Sequence, residues 1–283
     1  MSKRKHDEVR SRNEVFTEKT ATRIWQETPC DDNPYIAQSA LCHGYDLQEL
    51  MRACSFTDVF YLLFRGELPS KEDSQLLETL MIALINPGPR HAATRAAMNA
   101  GIGKSMHVHI LPIALTVMGG DHLGGGEIEP AMRFLRKHQK QQPTDVLHIL
   151  ESSEKESIEQ NSTGIEISSE KNKKFTPGFG SLYGGIDSLT QTIADQLITL
   201  PAAGKALQWG NDFSQLLNLK SSGWLATGLA AAVFADLGFQ PKMGGALFQL
   251  INAPGLAAHG LELSNKPFTA MPYVRDEDYV IEK

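Results

Sequence analysis

The sequence predicts an all-α fold, and three observations carry that expectation. Residues able to cap helices, Ser55 with Asp58 and Ser70 with Asp73, stand in front of apolar side chains at helical spacing. An alanine-rich apolar run, residues 223–239, is apolar nearly all round and reads as a buried helix. No segment longer than about five residues alternates strictly between apolar and polar, as a half-buried strand requires.

The elements follow in order. Residues 1–20 alternate in charge around the basic triplet Lys3, Arg4 and Lys5 and lack an apolar stretch, so they read as a mobile tail rather than a secretory signal. Ser55 opens a short helix with Val59, Leu62 and Leu63, which stops at Gly66. Ser70 opens a second, whose Leu76, Leu77, Leu80, Met81 and Leu84 share one face, and the pair predicts a helix hairpin closed by the N-P-G-P run of residues 86–89. Small residues crowd residues 91–120, which predicts helix backbones in close approach. Five glycines in residues 119–126 then predict a loop able to take positive φ or to lie against a ligand. Residues 127–150 predict further helix, with a new start at Pro143. Residues 151–174 hold too few large apolar side chains to offset their ordering entropy and read as a flexible insertion. Leu189, Ile193, Leu197 and Leu200 mark one more helix face.

Composition narrows the function. With 27 Lys and Arg against 33 Asp and Glu the net charge is −6, which disfavours nucleic acid and anionic membranes as partners. No apolar run reaches the length of about 20 residues that spans a bilayer. The three cysteines, Cys30, Cys42 and Cys54, form neither a disulfide scaffold nor a four-cysteine zinc site, and a reducing cytoplasm is the expected setting. His107 and His109 point about 200° apart on a helix and cannot share a metal ion there, so no metal site is expected. Residues 103–105 (G-K-S) look like the end of a phosphate-binding loop but lack the first glycine and a preceding strand.

The informative pattern is long-range. It comprises residues 42–47 (C-H-G-Y-D-L), 60–69 (F-Y-L-L-F-R-G-E-L-P), the glycine loop at His122, 177–180 (P-G-F-G) and 255–262 (G-L-A-A-H-G-L-E). In that order the chain resembles the citrate synthase superfamily, closest in pattern to its compact citryl-CoA lyase-like branch. The resemblance implies a large helical domain, residues 21–126 and 216–283, interrupted by a small helical domain, residues 127–215, that closes over the substrates. It also implies a homodimer, a small-molecule substrate, no tightly bound cofactor, and a coenzyme A thioester as substrate or ligand for carbon–carbon cleavage or for condensation with a 2-oxo acid.

The departures fall on the chemistry. The family's enolate-stabilising histidine aligns with Leu123, and the G-F-G-H-R of the second loop has become Gly180, Ser181 and Leu182. The base of the family's D-F-Y-S-G aligns with Leu219, the D-H-G-P motif with residues 86–89 where Pro87 replaces histidine, and an arginine with Asn252. Three readings stand. A rebuilt enzyme would use His122 and Ser181 as catalytic groups beside the cleft, with Asp187 or Asp212 as base. Pro177, Gly178, Phe179 and Gly180 would hold the coenzyme, and Gly124, Gly125, Lys220, Lys266 and His259 the substrate. A non-catalytic binding or partner protein would keep the fold without the chemistry. An unrelated helical protein would match by chance. His259, on an apolar helix face, reads more readily as a hydrogen-bonded core histidine than as an acid or base.

Overall fold

The computed structural model describes residues 20–160, 174–272 and 274–282. The expected mobile tail, apart from its last residue, and the middle of the expected insertion, residues 161–173, lie outside the described residues. The fold is all-α, with eleven α-helices among the described residues, and the chain forms two compact units, residues 1–68 and 69–283. The division falls between the two helices expected to form a hairpin.

The first unit holds strands that sequence reasoning missed: β1 (Trp25–Pro29), β2 (Ala37–Cys42) and β3 (Tyr45–Asp46), antiparallel in the order β1-β2-β3. Every residue of β1 is exposed, so no buried face imposes the alternation that announces a strand. His43 and Gly44 both take positive φ, 49° and 88°, in the two-residue turn joining β2 to β3. Asp46 then caps α1 (Leu47–Ala53) by accepting the amides of Gln48 and Glu49. Ser55 and Asp58 form a reciprocal capping box on α2 (Phe56–Arg65), and Gly66 closes it at φ 80°. Cys42, Leu50 and Leu62 are buried together as the apolar centre of this unit.

The second unit begins with α3 (Lys71–Leu84), capped by Ser70, whose Leu76, Leu77, Leu80 and Leu84 are buried as the spacing required. Next come α4 (Ala92–Ile102), α5 (His107–Met118), α6 (Ile128–His138), α7 (Pro143–Gln160), α8 (Ser188–Leu197), α9 (Lys205–Leu217), α10 (Ala226–Asp236) and α11 (Pro241–Ser264). The small residues of α4 do what their density implied: a Cβ on Gly101 would run into the carbonyl of Gly260 on α11. Lys104, in the G-K-S run, donates through Nζ to the carbonyls of Ser264 and Lys266 at 2.7 and 2.6 Å, capping the C-terminus of α11 rather than cradling a phosphate.

Two expectations need correction here. Residues 151–160, within the segment expected as an insertion, continue α7 as helix, an element not expected there. The buried helix expected over residues 223–239 spans only α10, because Gly223 and Trp224 form β6. That strand joins β4 (Lys174–Thr176) and β5 (Phe179–Gly180) in a second antiparallel sheet. Phe179 stacks on Trp224 with centroids 4.5 Å apart and meets Phe213 edge-on at 5.1 Å, an aromatic core that packing, not periodicity, assembles.

Asp236, at the end of α10, joins two helices. Its carboxylate accepts the amides of Gly204, Ala206 and Leu207 at the start of α9, at 3.0, 2.8 and 2.9 Å. Burial pushes this carboxyl above its ordinary range, against the pull of the three amides. Asp236→Ala orphans all three donors and is expected to cost about 2–3 kcal/mol, lowering the midpoint of thermal unfolding by roughly 5–10 °C.

Candidate functional site

A cleft of about 530 Å³ opens in the second unit. Five stretches distant in sequence build it: the α3–α4 loop, Leu123 between α5 and α6, the segment from Leu182 to Leu189, the N-terminus of α10, and Phe248 with Asn252 on α11.

The α3–α4 loop is held from both sides. Asn86 Oδ1 accepts the amide of Gly88 at 2.9 Å, which turns the chain with Gly88 at φ 82°. Pro254 has no N–H, and the next residue, Gly255, donates its own amide outward to the carbonyl of Ile85 at 3.0 Å. A Cβ on Gly255 would collide with Asn86, so this contact depends on glycine.

His91 ends the loop and was not singled out by sequence reasoning. Its Nδ1 accepts the amide of Ala93 at 3.1 Å, capping α4, and its Nε2 lies 3.0 Å from the carbonyl of Leu123. Those partners assign the neutral tautomer with the proton on Nε2. The bond also holds Leu123 in the left-handed region, φ 54°, a strained position for a branched side chain. Burial, joined by the nearby His122 and opposed by the bond to Leu123, lowers the His91 pKa below its ordinary value. With a depressed folded value, the stability His91 contributes is fully present above about pH 6.5 and is lost as pH falls through the folded value. Unfolding midpoints of the native chain should therefore drop more between about pH 7 and 5 than those of His91→Asn, a residue that can still cap α4.

A buried carboxylate anchors the far wall. Glu127, 2% exposed, accepts the amide of Gly178 through Oε1 at 3.0 Å and the hydroxyl of Thr227, a cleft residue, through Oε2 at 2.9 Å. Asp187 also lines the cleft, with both oxygens engaged by Thr190 at 3.2 and 2.6 Å as the cap of α8. Arg90 is exposed at the cleft and has no partner among the described residues.

The residues expected at the site are placed as follows. His122 is exposed and adjacent to Leu123, and Ser181 is buried next to Leu182, but neither lines the cleft. Gly178, Phe179 and Gly180 are buried and Pro177 is half-buried. Gly178 faces Gly228 so closely that neither can carry a Cβ, so Gly178 serves packing. Gly124 and Gly125 are likewise buried, against the carbonyls of Gly120 and Met118 and against Gly245 of α11. Lys220 pairs with Glu151 and lies over Phe175, with 5.7 Å to the ring centroid. Lys266 is exposed and contributes its carbonyl to Lys104. His259 is half-buried, 3.2 Å from Asn86 Oδ1, and so touches the cleft wall. Leu219 is 92% exposed and Asp212 is exposed, and both lie outside the cleft lining. The signal for His91 and Arg90 was present in the glycine–proline loop just before a run of alanines, where a capping residue belongs.

No protein-family model and no curated protein matches the chain. Solved structures do. Citryl-CoA lyase from Hydrogenobacter thermophilus is 24% identical over 93% of this chain and 95% of that one, with a TM-score of 0.70. ATP citrate lyase from Methanothrix soehngenii, in complex with citrate and coenzyme A, is 16% identical over 95% of this chain and 44% of that one, at 0.64. Citrate synthase from Thermotoga maritima is 20% identical over 81% of this chain and 60% of that one, at 0.55. The chain therefore shares its fold with these solved structures.

Proposed function

We propose that this chain, with its citrate synthase fold, binds a coenzyme A thioester in the cleft and has lost the standard condensation chemistry. One observation carries the reading. The cleft gathers several of the positions that the resemblance aligns with the family's active-site groups, Pro87, Leu123, Leu182 and Asn252, and none of them ionises, while Leu219 and Ser181, aligned with the base and with a second histidine, lie outside its lining and are equally unable to replace them. The unpaired guanidinium of Arg90 suits a phosphate of the coenzyme. The segment formed by residues 127–215, which supplies Leu182 and its neighbours, closes over the ligand in this proposal.

Calorimetric titration with CoA, acetyl-CoA and citryl-CoA tests the reading, and binding of none of them refutes it. Arg90→Ala is expected to weaken binding about tenfold or more, the loss of one charge-assisted contact, with a reduced salt dependence. Citrate formation from acetyl-CoA and oxaloacetate should be at least about 10⁴-fold below that of an ordinary citrate synthase, since a base and an oxyanion donor are both missing. A second reading, turnover at a rebuilt site, is favoured by the Asp187 carboxylate in the cleft wall. It requires thioester cleavage that Asp187→Asn abolishes while CoA binding persists.

We also propose a homodimer. Val108, Ile113 and Val117 on α5, with Leu250 and Leu261 on α11, leave apolar side chains exposed on two helices that pack together. Sedimentation as a 31.1 kDa monomer at micromolar concentration would exclude it.

A further inference from the structure

We infer that the acyl group held in this cleft is an apolar aliphatic chain rather than a polycarboxylate. The inference rests on the coenzyme reading above and concerns only the part of the ligand that enters the cleft.

The deep wall is hydrocarbon. Leu84, Leu225 and Phe248 line it at 7%, 4% and 3% exposure, and Leu123 and Leu182 stand half-buried beside them. Three of the polar groups among them are already engaged with protein. Asn252, 2% exposed, turns its amide nitrogen back onto the carbonyl of Phe248 at 2.8 Å. Thr227 donates its hydroxyl to Glu127, and His91 spends its Nε2 proton on Leu123. The only carboxylate of the lining, Asp187, would repel another. Arg90 is the sole lysine or arginine of the lining, and it sits exposed, where it serves the coenzyme's phosphates instead.

A carboxylate brought inside would lose water and find no cation besides the exposed Arg90, only neutral donors such as the Asn86 amide and the Ser188 hydroxyl, which leaves a cost of several kcal/mol. An alkyl chain meets no such penalty. The mouth continues the same surface, because Ile186 and Leu189 are 38% and 70% exposed along the segment that borders it. The volume, about 530 Å³, lies within the usual range for small-molecule sites.

The test is calorimetric titration of the full chain with free CoA, acetyl-CoA, hexanoyl-CoA and citryl-CoA, and with octanoate and citrate alone. Each methylene buried in the cleft should tighten binding about fourfold, so hexanoyl-CoA, four methylenes longer, should exceed acetyl-CoA by about two orders of magnitude. Citryl-CoA should bind no better than free CoA. Leu182→Ala should reduce the hexanoyl preference several-fold, and Leu182→Arg should abolish it and admit citryl-CoA. The alanine variant, which adds no charge, keeps the test valid if the arginine variant fails to fold. Acetyl-CoA or citryl-CoA bound as tightly as hexanoyl-CoA would overturn the inference and leave the coenzyme reading standing. Octanoate bound in a Leu182-dependent way, with no affinity for any CoA species, would overturn the coenzyme reading and support the apolar ligand. Binding of neither class would overturn both.

Discussion

Glu127→Ala is expected to destabilise the protein by about 3–5 kcal/mol and to lower its thermal midpoint by at least about 10 °C. The buried carboxylate accepts the Gly178 amide and the Thr227 hydroxyl, and alanine leaves both donors in a dry interior with a cavity in place of their acceptor. Glutamine keeps the shape and one acceptor oxygen but turns an NH₂ group toward the other donor, so Glu127→Gln should fall between the alanine variant and the native chain. The two contacts join the loop at Gly178 to the N-terminus of α10, which lines the cleft. Ligand affinity should therefore decline with stability in this series. An unfolding curve for Glu127→Ala indistinguishable from the native one would show that water satisfies these donors and that the side chain is not the anchor described here.

Gly228→Val should do comparable damage by the opposite route, overfilling rather than emptying. A Cβ on Gly228 would enter the space of the Gly178 carbonyl, and the colliding atoms are backbone, so no side-chain rotamer relieves the clash. α10 is buried nearly all round and cannot retreat toward solvent. The expected cost is at the upper end for overpacked cores, about 3 kcal/mol or more, and low soluble yield is the first sign of it. Gly185→Ala is the control. A Cβ there meets only the Leu182 carbonyl, at the ordinary contact distance of 4.0 Å, and that variant should unfold close to the native midpoint. Equal yields and midpoints for the two variants would refute the close backbone approach of α10 to the β5 hairpin.

The helices were legible because their signals are local. Ser55 with Asp58, Ser70, Pro143 and Gly66 act within a few residues of themselves, and the leucines of α3 mark its buried face by spacing alone. The long-range motifs likewise pointed to the fold that the solved structures share. The strands were illegible for a physical reason: β1 buries no face, and β4 to β6 are two or three residues long, too short for any period to register. The candidate site was only half legible. The sequence determined the identities of Leu123, Leu182 and Asn252, which the resemblance aligns with ionisable groups, since identity needs no coordinates. Tertiary structure decided what those positions surround. Gly124, Gly125 and Gly178 of the two loops face backbone, Lys220 is paired with Glu151, and His91 is the histidine in the cleft wall. A glycine reads the same in sequence whether a ligand or another helix approaches it, and a histidine's partners, at 91 and 123, lie too far apart in the chain for any local pattern to connect them.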